Sequence, residues 1–124
     1  MFRSFSLRVS GQTWIADRPV IVGILNSTPD SFYAGSRVAS ADAAEAHAES
    51  LLASGAQWLD LGGCSTRPGA EIPSMEEEWR RVEPALDRII QRFPNTPVSI
   101  DTFRGEIAFR ALQQGASIIN DVSG

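Results

Sequence analysis

Four short polar segments each stand behind or within an apolar or β-branched run: Asn26-Ser-Thr-Pro-Asp-Ser-Phe32, Gly62-Gly-Cys-Ser-Thr-Arg-Pro-Gly69, Ser99-Ile-Asp-Thr102 and Ile118-Ile-Asn-Asp-Val-Ser-Gly124. Amides, carboxylates, hydroxyls and a guanidinium therefore collect at the ends of successive expected strands, where ligands gather in parallel α/β architectures. The amide of Asn26 can ligate a metal or a phosphate, or it can cap the turn through Thr28, Pro29 and Asp30. Ser65, Thr66 and Arg67, in a loop bounded by glycines and Pro68, suit a phosphate or diphosphate because a guanidinium can hold two oxygens at once. The other reading of that loop is a turn carrying a solvated arginine. Asp101, Asn120 and Asp121 close their strands and can accept from and donate to a heterocycle, or cap the helices that follow.

Other chemistries find little support. Cys64 has no base beside it, and His47, the one histidine, is expected mid-helix on the surface, so neither a thiol nucleophile nor a Ser-His-Asp arrangement is indicated. One cysteine makes no intramolecular disulfide, and no zinc-ligand spacing exists. Glu76-Glu77-Glu78 followed by Arg80-Arg81 reads as a solvated helical face. Trp14, Trp58 and Trp79 read as packing residues. Asp30-Ser31-Phe32 opens a connection of about a dozen residues containing Gly35, long enough for an active-site cover or a plain connector.

The elements that must position these groups are legible in the hydrophobic pattern. Phe5, Leu7 and Val9 alternate ahead of Gly11-Gln12 and Thr13-Trp14-Ile15, an antiparallel hairpin pattern. Val20 to Leu25 is a continuous apolar run, expected as the first core strand and buried on both faces. Ser40 is expected to cap an Ala-rich helix with Ala44, Ala48, Leu51 and Leu52 on one side and Gly55 as its stop. Trp58-Leu-Asp-Leu61 is the second core strand. Ser74 with Glu77 forms a capping box for a helix carrying Trp79, Val82, Leu86, Ile89, Ile90 and Phe93, which Pro84 should kink or split. Pro97 to Ile100 is a third strand and Ser117 to Ile119 a fourth. Between them, Arg104 to Gln114 is a helix with Ile107, Ala108, Ala111 and Leu112 on one side.

This βαβαβαβ order defines an α/β chain that begins either an eight-stranded barrel or an open doubly wound sheet. An open sheet usually carries a glycine-rich phosphate loop after its first strand, and Asn26-Ser-Thr-Pro-Asp is not one. The barrel is favoured. The expected organisation is a β-hairpin segment over residues 1–19, then residues 20–124 as about four strands and three helices of a barrel domain, truncated at the C-terminus. With 124 residues, 43% hydrophobic and 21% charged, the chain has the composition of a globular domain. Its net charge of -4 argues against broad nucleic-acid binding. No apolar run approaches a membrane span and no signal peptide is seen, so a cytoplasmic location is expected.

Taken in order, Asn-x-Thr-Pro-Asp-Ser-Phe, Asp-x-Gly-Gly-x-Ser-Thr-Arg-Pro-Gly-Ala, Ser-Ile-Asp-Thr and Gly-Ala-x-Ile-Ile-Asn-Asp-Val-Ser-Gly resemble the N-terminal half of the dihydropteroate synthases. The resemblance runs from about Val20 to Gly124 and implies the N-terminal half of a (β/α)₈ TIM barrel, a fold of about 250 residues. It implies a folate-pathway transferase that joins 6-hydroxymethyl-7,8-dihydropterin diphosphate to p-aminobenzoate, with magnesium (Mg2+) assisting departure of the diphosphate. By the same resemblance Asn26 meets the metal and the diphosphate, and Thr66 and Arg67 belong to the loop around the diphosphate. Asp101 and Asn120 hydrogen-bond the pterin, Val122 lies against its ring, and Phe32 and Pro68 help build the p-aminobenzoate pocket that sulfonamides occupy. Asn26, Arg67 and Asp101 are the groups to which it gives catalytic roles.

Two positions depart from the family pattern: Ala34 stands where Asp is frequent, and Cys64 where Glu or another polar residue is frequent. The resemblance also implies a homodimer for a full-length chain. It places a further pterin-binding Asp, a Lys and an Arg/His anion site in later strands, so the 124 residues alone are expected to be inactive. Two other readings stay open: a methyltetrahydrofolate-binding methyltransferase, against which the Ser-Thr-Arg-Pro-Gly loop argues, and a naturally truncated, non-catalytic pterin-binding or assembly partner.

Overall fold

A computed structural model describes residues 5–9, 12–16, 19–27, 37–63 and 71–120. Strands β1 (Phe5–Val9) and β2 (Gln12–Ala16) form an antiparallel hairpin in which Phe5 faces Ala16 and Val9 faces Gln12. Gln12 belongs to β2. The main sheet contains β3 (Val22–Asn26), β4 (Trp58–Gly62), β5 (Val98–Asp101) and β6 (Ile118–Asn120), all parallel and side by side in chain order. Helices α1 (Arg37–Ala53), α2 (Met75–Arg92) and α3 (Gly105–Gln114) connect them, α1 packing on α2 and α2 on α3.

The period-two alternation of the strands separates two faces. Leu25, Leu59, Leu61, Val98 and Ile100 point to the helices and are wholly or almost wholly buried with Val82, Leu86 and Ile89 of α2 and Ile107 and Ala111 of α3. Each such aliphatic side chain contributes roughly 1.5–3 kcal/mol by leaving water. The other strand face carries Val22, Ile24, Asn26, Trp58, Asp60, Ser99, Asp101, Ile118 and Asn120. The small side chains of Ala44 and Ala48, both inaccessible, let α1 lie close to the sheet. A Cβ on Gly23 would stand 3.1 Å from Leu51, so the first strand meets α1 almost backbone to side chain.

Two of the three helix-to-strand joints, those after α1 and α3, use the same device. Gly55 and Gly115 adopt φ of 113° and 119°, and Ala56 and Ala116 donate their N–H back to the carbonyls of Leu51 and Ala111 at 3.0 Å. This is the 6→1 bond of a Schellman motif, in which a left-handed residue lets the chain reverse into the next strand. At the N-terminus of α2, the N-cap half of the expected capping box is present: Ser74 Oγ accepts from the Glu77 N–H at 3.2 Å, while the Glu77 carboxylate accepts from Arg80 and Arg81.

The structure corrects several expectations. β3 is buried on one face only: Gly23 and Leu25 are covered, whereas Val22 and Ile24 are 41% and 53% exposed because they belong to the sheet face opposite the helices. α1 begins at Arg37, so Ser40 is no cap; it is buried beside Ala41, one turn before Ala44, and extends the packing stripe. Pro84 does not split α2, which runs unbroken to Arg92; one lost backbone bond is offset by burial of Val82, Ala85, Leu86 and Ile89 around it. Leu112 is 47% exposed, as the buried stripe of α3 narrows to Ile107 and Ala111. Finally, Glu78 is not part of a solvated face but inaccessible to water.

Candidate functional site

The parallel register turns chain positions into rows across the sheet. Asn26 pairs with Gly62, Gly62 with Asp101 and Asp101 with Asn120, so the three polar residues expected at strand ends lie in one row at the carboxyl edge. Gly62 fills the place between Asn26 and Asp101 with no side chain. A Cβ there would lie 3.3 Å from Asp101 Cβ and 3.4 Å from its carbonyl, so glycine keeps room around the carboxylate. One row below, Ile24, Asp60, Ser99 and Ile118 are partners. An open depression of about 380 Å³ covers this lower part of the face and reaches the upper row at Asn120; Val22, Ile24, Trp58, Asp60 and Ser99 line it.

Two polar groups inside this face satisfy each other. Ser99 Oγ donates to Asp60 Oδ1, and both residues are buried. Asp60 and Ser99 stand in the quoted motifs but are not among the expected site residues, yet the signal exists: in Trp58-Leu-Asp-Leu61 and Val98-Ser-Ile100 a polar residue alternates with buried aliphatics, which puts it on the face opposite the helices.

The edge of the site is tied to α2 by several bonds. Ser27, next to Asn26, donates its N–H to the Gly62 carbonyl and its hydroxyl to the Arg81 carbonyl, both at 2.7 Å. Arg81 Nη1 donates to the Gly63 carbonyl at 3.0 Å while its Nε reaches Glu77 at 3.3 Å. Gly63 sits so close to α2 that a Cβ would meet the Glu78 carbonyl at 3.0 Å. The first two strand ends are therefore fixed against one helix.

A second missed group is the cluster of Glu78, Thr102 and Arg104. Glu78 Oε2 accepts from Thr102 Oγ1 and Oε1 from Arg104 Nη1, each at 2.7 Å. Glu78 lies one turn ahead of Val82 in the stripe Val82, Leu86, Ile89, and that spacing marks it as a core-facing acid. A buried charge in such a place requires a hydrogen-bonded partner of opposite sign, which Arg104 supplies. Remote from the site, Arg88 joins α2 to Asp42 and Glu45 of α1 at 2.6 and 2.9 Å; these hydrogen bonds, Asp42 first, push its pKa above the ordinary arginine value.

The remaining expected site residues, Phe32, Thr66, Arg67, Pro68 and Val122, lie outside the described residues, as do Ala34, Cys64 and Asp121. Among the described residues no group of three His, Cys, Asp or Glu side chains could hold a metal ion. Asn26 offers one hard oxygen at the site edge, a donor set that suits a magnesium ion completed by diphosphate and water rather than a dedicated protein cage. Among the described residues no helix is long and apolar enough to cross a membrane.

The family profile of pterin binding enzymes matches residues 22–124, the stretch that carries this row of an amide, a carboxylate and a second amide at the strand ends. The chain belongs to that family. Within it the similarity is to dihydropteroate synthases. The Bacillus subtilis dihydropteroate synthase is 45% identical over 108 residues, spanning 87% of this chain and 38% of that protein. The structure of Xanthomonas albilineans dihydropteroate synthase with 4-aminobenzoic acid superposes with a TM-score of 0.85 at 44% identity, covering 97% of this chain and 44% of that one. Clostridium difficile dihydropteroate synthase, solved in the presence of pteroic acid, superposes with a TM-score of 0.80 at 44% identity, covering 87% and 41%. The chain thus spans about two fifths of its relatives, and its fold is the N-terminal half of their barrel.

Proposed function

We propose that the intact protein is a dihydropteroate synthase, joining 6-hydroxymethyl-7,8-dihydropterin diphosphate to p-aminobenzoate in folate biosynthesis. The observation that carries this reading is the row Asn26, Gly62, Asp101, Asn120, which aligns the pterin-reading acceptor and donor beside the amide assigned to the diphosphate. In the reaction the bond between the exocyclic carbon and the diphosphate oxygen breaks, and its electron pair leaves with the diphosphate. The positive charge left on the carbon is spread over the pterin, the aniline nitrogen attacks it, and a proton passes to solvent. Such chemistry asks for orientation and charge neutralisation more than for a strong base.

Asp101 and Asn120 hold the ring edge so that the exocyclic carbon points along the strand ends. Arg67 and Thr66 neutralise the departing diphosphate, Phe32 and Pro68 frame p-aminobenzoate, and Val122 lies on the ring. Asn26 would hold a magnesium ion, which would supply Lewis-acid stabilisation of the leaving group. The p-aminobenzoate pocket is the place for sulfonamides, the active protein is a homodimer, and it works in the cytoplasm.

The test is formation of 7,8-dihydropteroate by the intact protein and its Asp101→Asn variant. Synthase activity in the parent, lowered at least about tenfold in the variant by loss of a charge-assisted hydrogen bond, is expected. An intact protein that makes no dihydropteroate and is not protected by pyrophosphate, but binds methyltetrahydrofolate, would establish the methyltransferase reading instead.

A further inference from the structure

Thr102 follows Asp101 directly and is 4% exposed. Its N–H donates to the Asn120 carbonyl at 3.1 Å, and its hydroxyl donates to the carboxylate of Glu78 at 2.7 Å. The same hydroxyl oxygen accepts from the Arg104 N–H at 3.2 Å. Arg104 in turn spreads its guanidinium between Glu78 Oε1 at 2.7 Å and the Pro73 carbonyl at 2.6 Å. A carboxylate only accepts, so with Arg104 on one oxygen and Thr102 on the other, the Thr102 proton has a single well-oriented destination. Main chain and side chain of Thr102 are thus both committed, one to the strand bearing Asn120 and the other to α2.

We propose that Glu78, acting through Thr102, is the positioning residue that sets the Asp101 and Asn120 pair for reading the pterin edge. Neither Glu78 nor Thr102 belongs to the row at the strand ends; both lie behind it, and a change there acts on ligand only through the placement of Asp101 and Asn120. A carboxylate and an amide must meet ring nitrogens within a few tenths of an ångström to form good hydrogen bonds, so a residue that fixes their backbone controls affinity without contact. The inference rests on the pterin-site reading above.

Pteroic acid is titrated calorimetrically into the intact protein and its Thr102→Val and Thr102→Ser variants, with thermal melts run beside each titration. Valine keeps the shape and removes the hydroxyl, whereas serine keeps the hydroxyl and removes the methyl group. The expected result is affinity about tenfold or more weaker for Thr102→Val, the scale of a lost hydrogen bond to a charged group, and within about twofold of the parent for Thr102→Ser. Affinity that stays within about twofold in folded Thr102→Val, or falls equally in both variants, overturns the proposal, since packing alone would then explain the residue. Should Thr102→Val not fold, Glu78→Leu reads the same link, because its side chain can neither accept from nor donate to the Thr102 hydroxyl; unchanged affinity there overturns it as well. A parent protein that binds no pteroic acid refutes the pterin-site reading itself, a result visible before any variant is compared.

Discussion

Adding one methyl group at two glycines should shift stability in opposite directions. A Cβ at Gly63 would meet the Glu78 carbonyl at 3.0 Å, Val82 Cγ2 at 3.1 Å and Glu78 Cγ at 3.2 Å, all on buried, packed parts of α2. Relief requires a shift of the helix backbone, and forcing a methyl group into such a place costs about 1–3 kcal/mol. The smaller conformational freedom of an unfolded alanine returns about 0.4–1 kcal/mol. Taking the middle of each range, the expected net loss for Gly63→Ala is about 1.3 kcal/mol. At Gly105, the first residue of α3, a Cβ meets nothing within 4 Å and φ is not positive, so only the unfolded-state term acts.

Gly105→Ala should thus gain about 0.4–1 kcal/mol. Urea unfolding of the intact protein, followed by tryptophan fluorescence and circular dichroism, reads both midpoints in one experiment. A Gly63→Ala midpoint at or above the parent's would refute the claim that the strand end and α2 are in hard contact, and a Gly105→Ala midpoint below it would refute the claim that Gly105 faces open space. Because Gly63 also accepts from Arg81 and lies against Glu78, Gly63→Ala should weaken pteroic acid binding too.

Three further outcomes are expected. Ser74→Ala removes the acceptor for the Glu77 N–H and should destabilise the protein by about 1 kcal/mol in the same unfolding assay, whereas Ser74→Asp should not. Asn26→Ala should lower kcat/KM for the pterin diphosphate by about 10- to 100-fold while leaving pteroic acid affinity nearly unchanged, because only the diphosphate substrate uses that amide. The 124-residue chain alone should form no dihydropteroate without a complementing half; turnover by the purified segment would show that these strand ends suffice.

Local sequence determined most of the elements because each carries its own physical signature. Apolar runs of strand length, the capping box at Ser74 and glycines with left-handed backbone at Gly55 and Gly115 state where strands and helices start and stop. The polar strand ends could be picked out for the same reason: Asn26, Asp101 and Asn120 interrupt apolar runs. What the sequence could not decide is which face of a run is covered. Val22 and Ile24 read as core residues, yet they are exposed, since burial depends on what lies across the sheet and not on the strand.

Tertiary structure also set the fate of Glu78. In a run of three acids it is indistinguishable from its neighbours by charge, and only the packing of α2 on the sheet carries it to Thr102 and Arg104, 24 and 26 residues away. The same holds for the row itself. Residue types placed an amide or a carboxylate at three separate strand ends, but bringing Asn26 into line with Asp101 and Asn120 required the parallel register, which long-range hydrogen bonds fix. Chemistry of the groups is local information; their convergence is a property of the sheet.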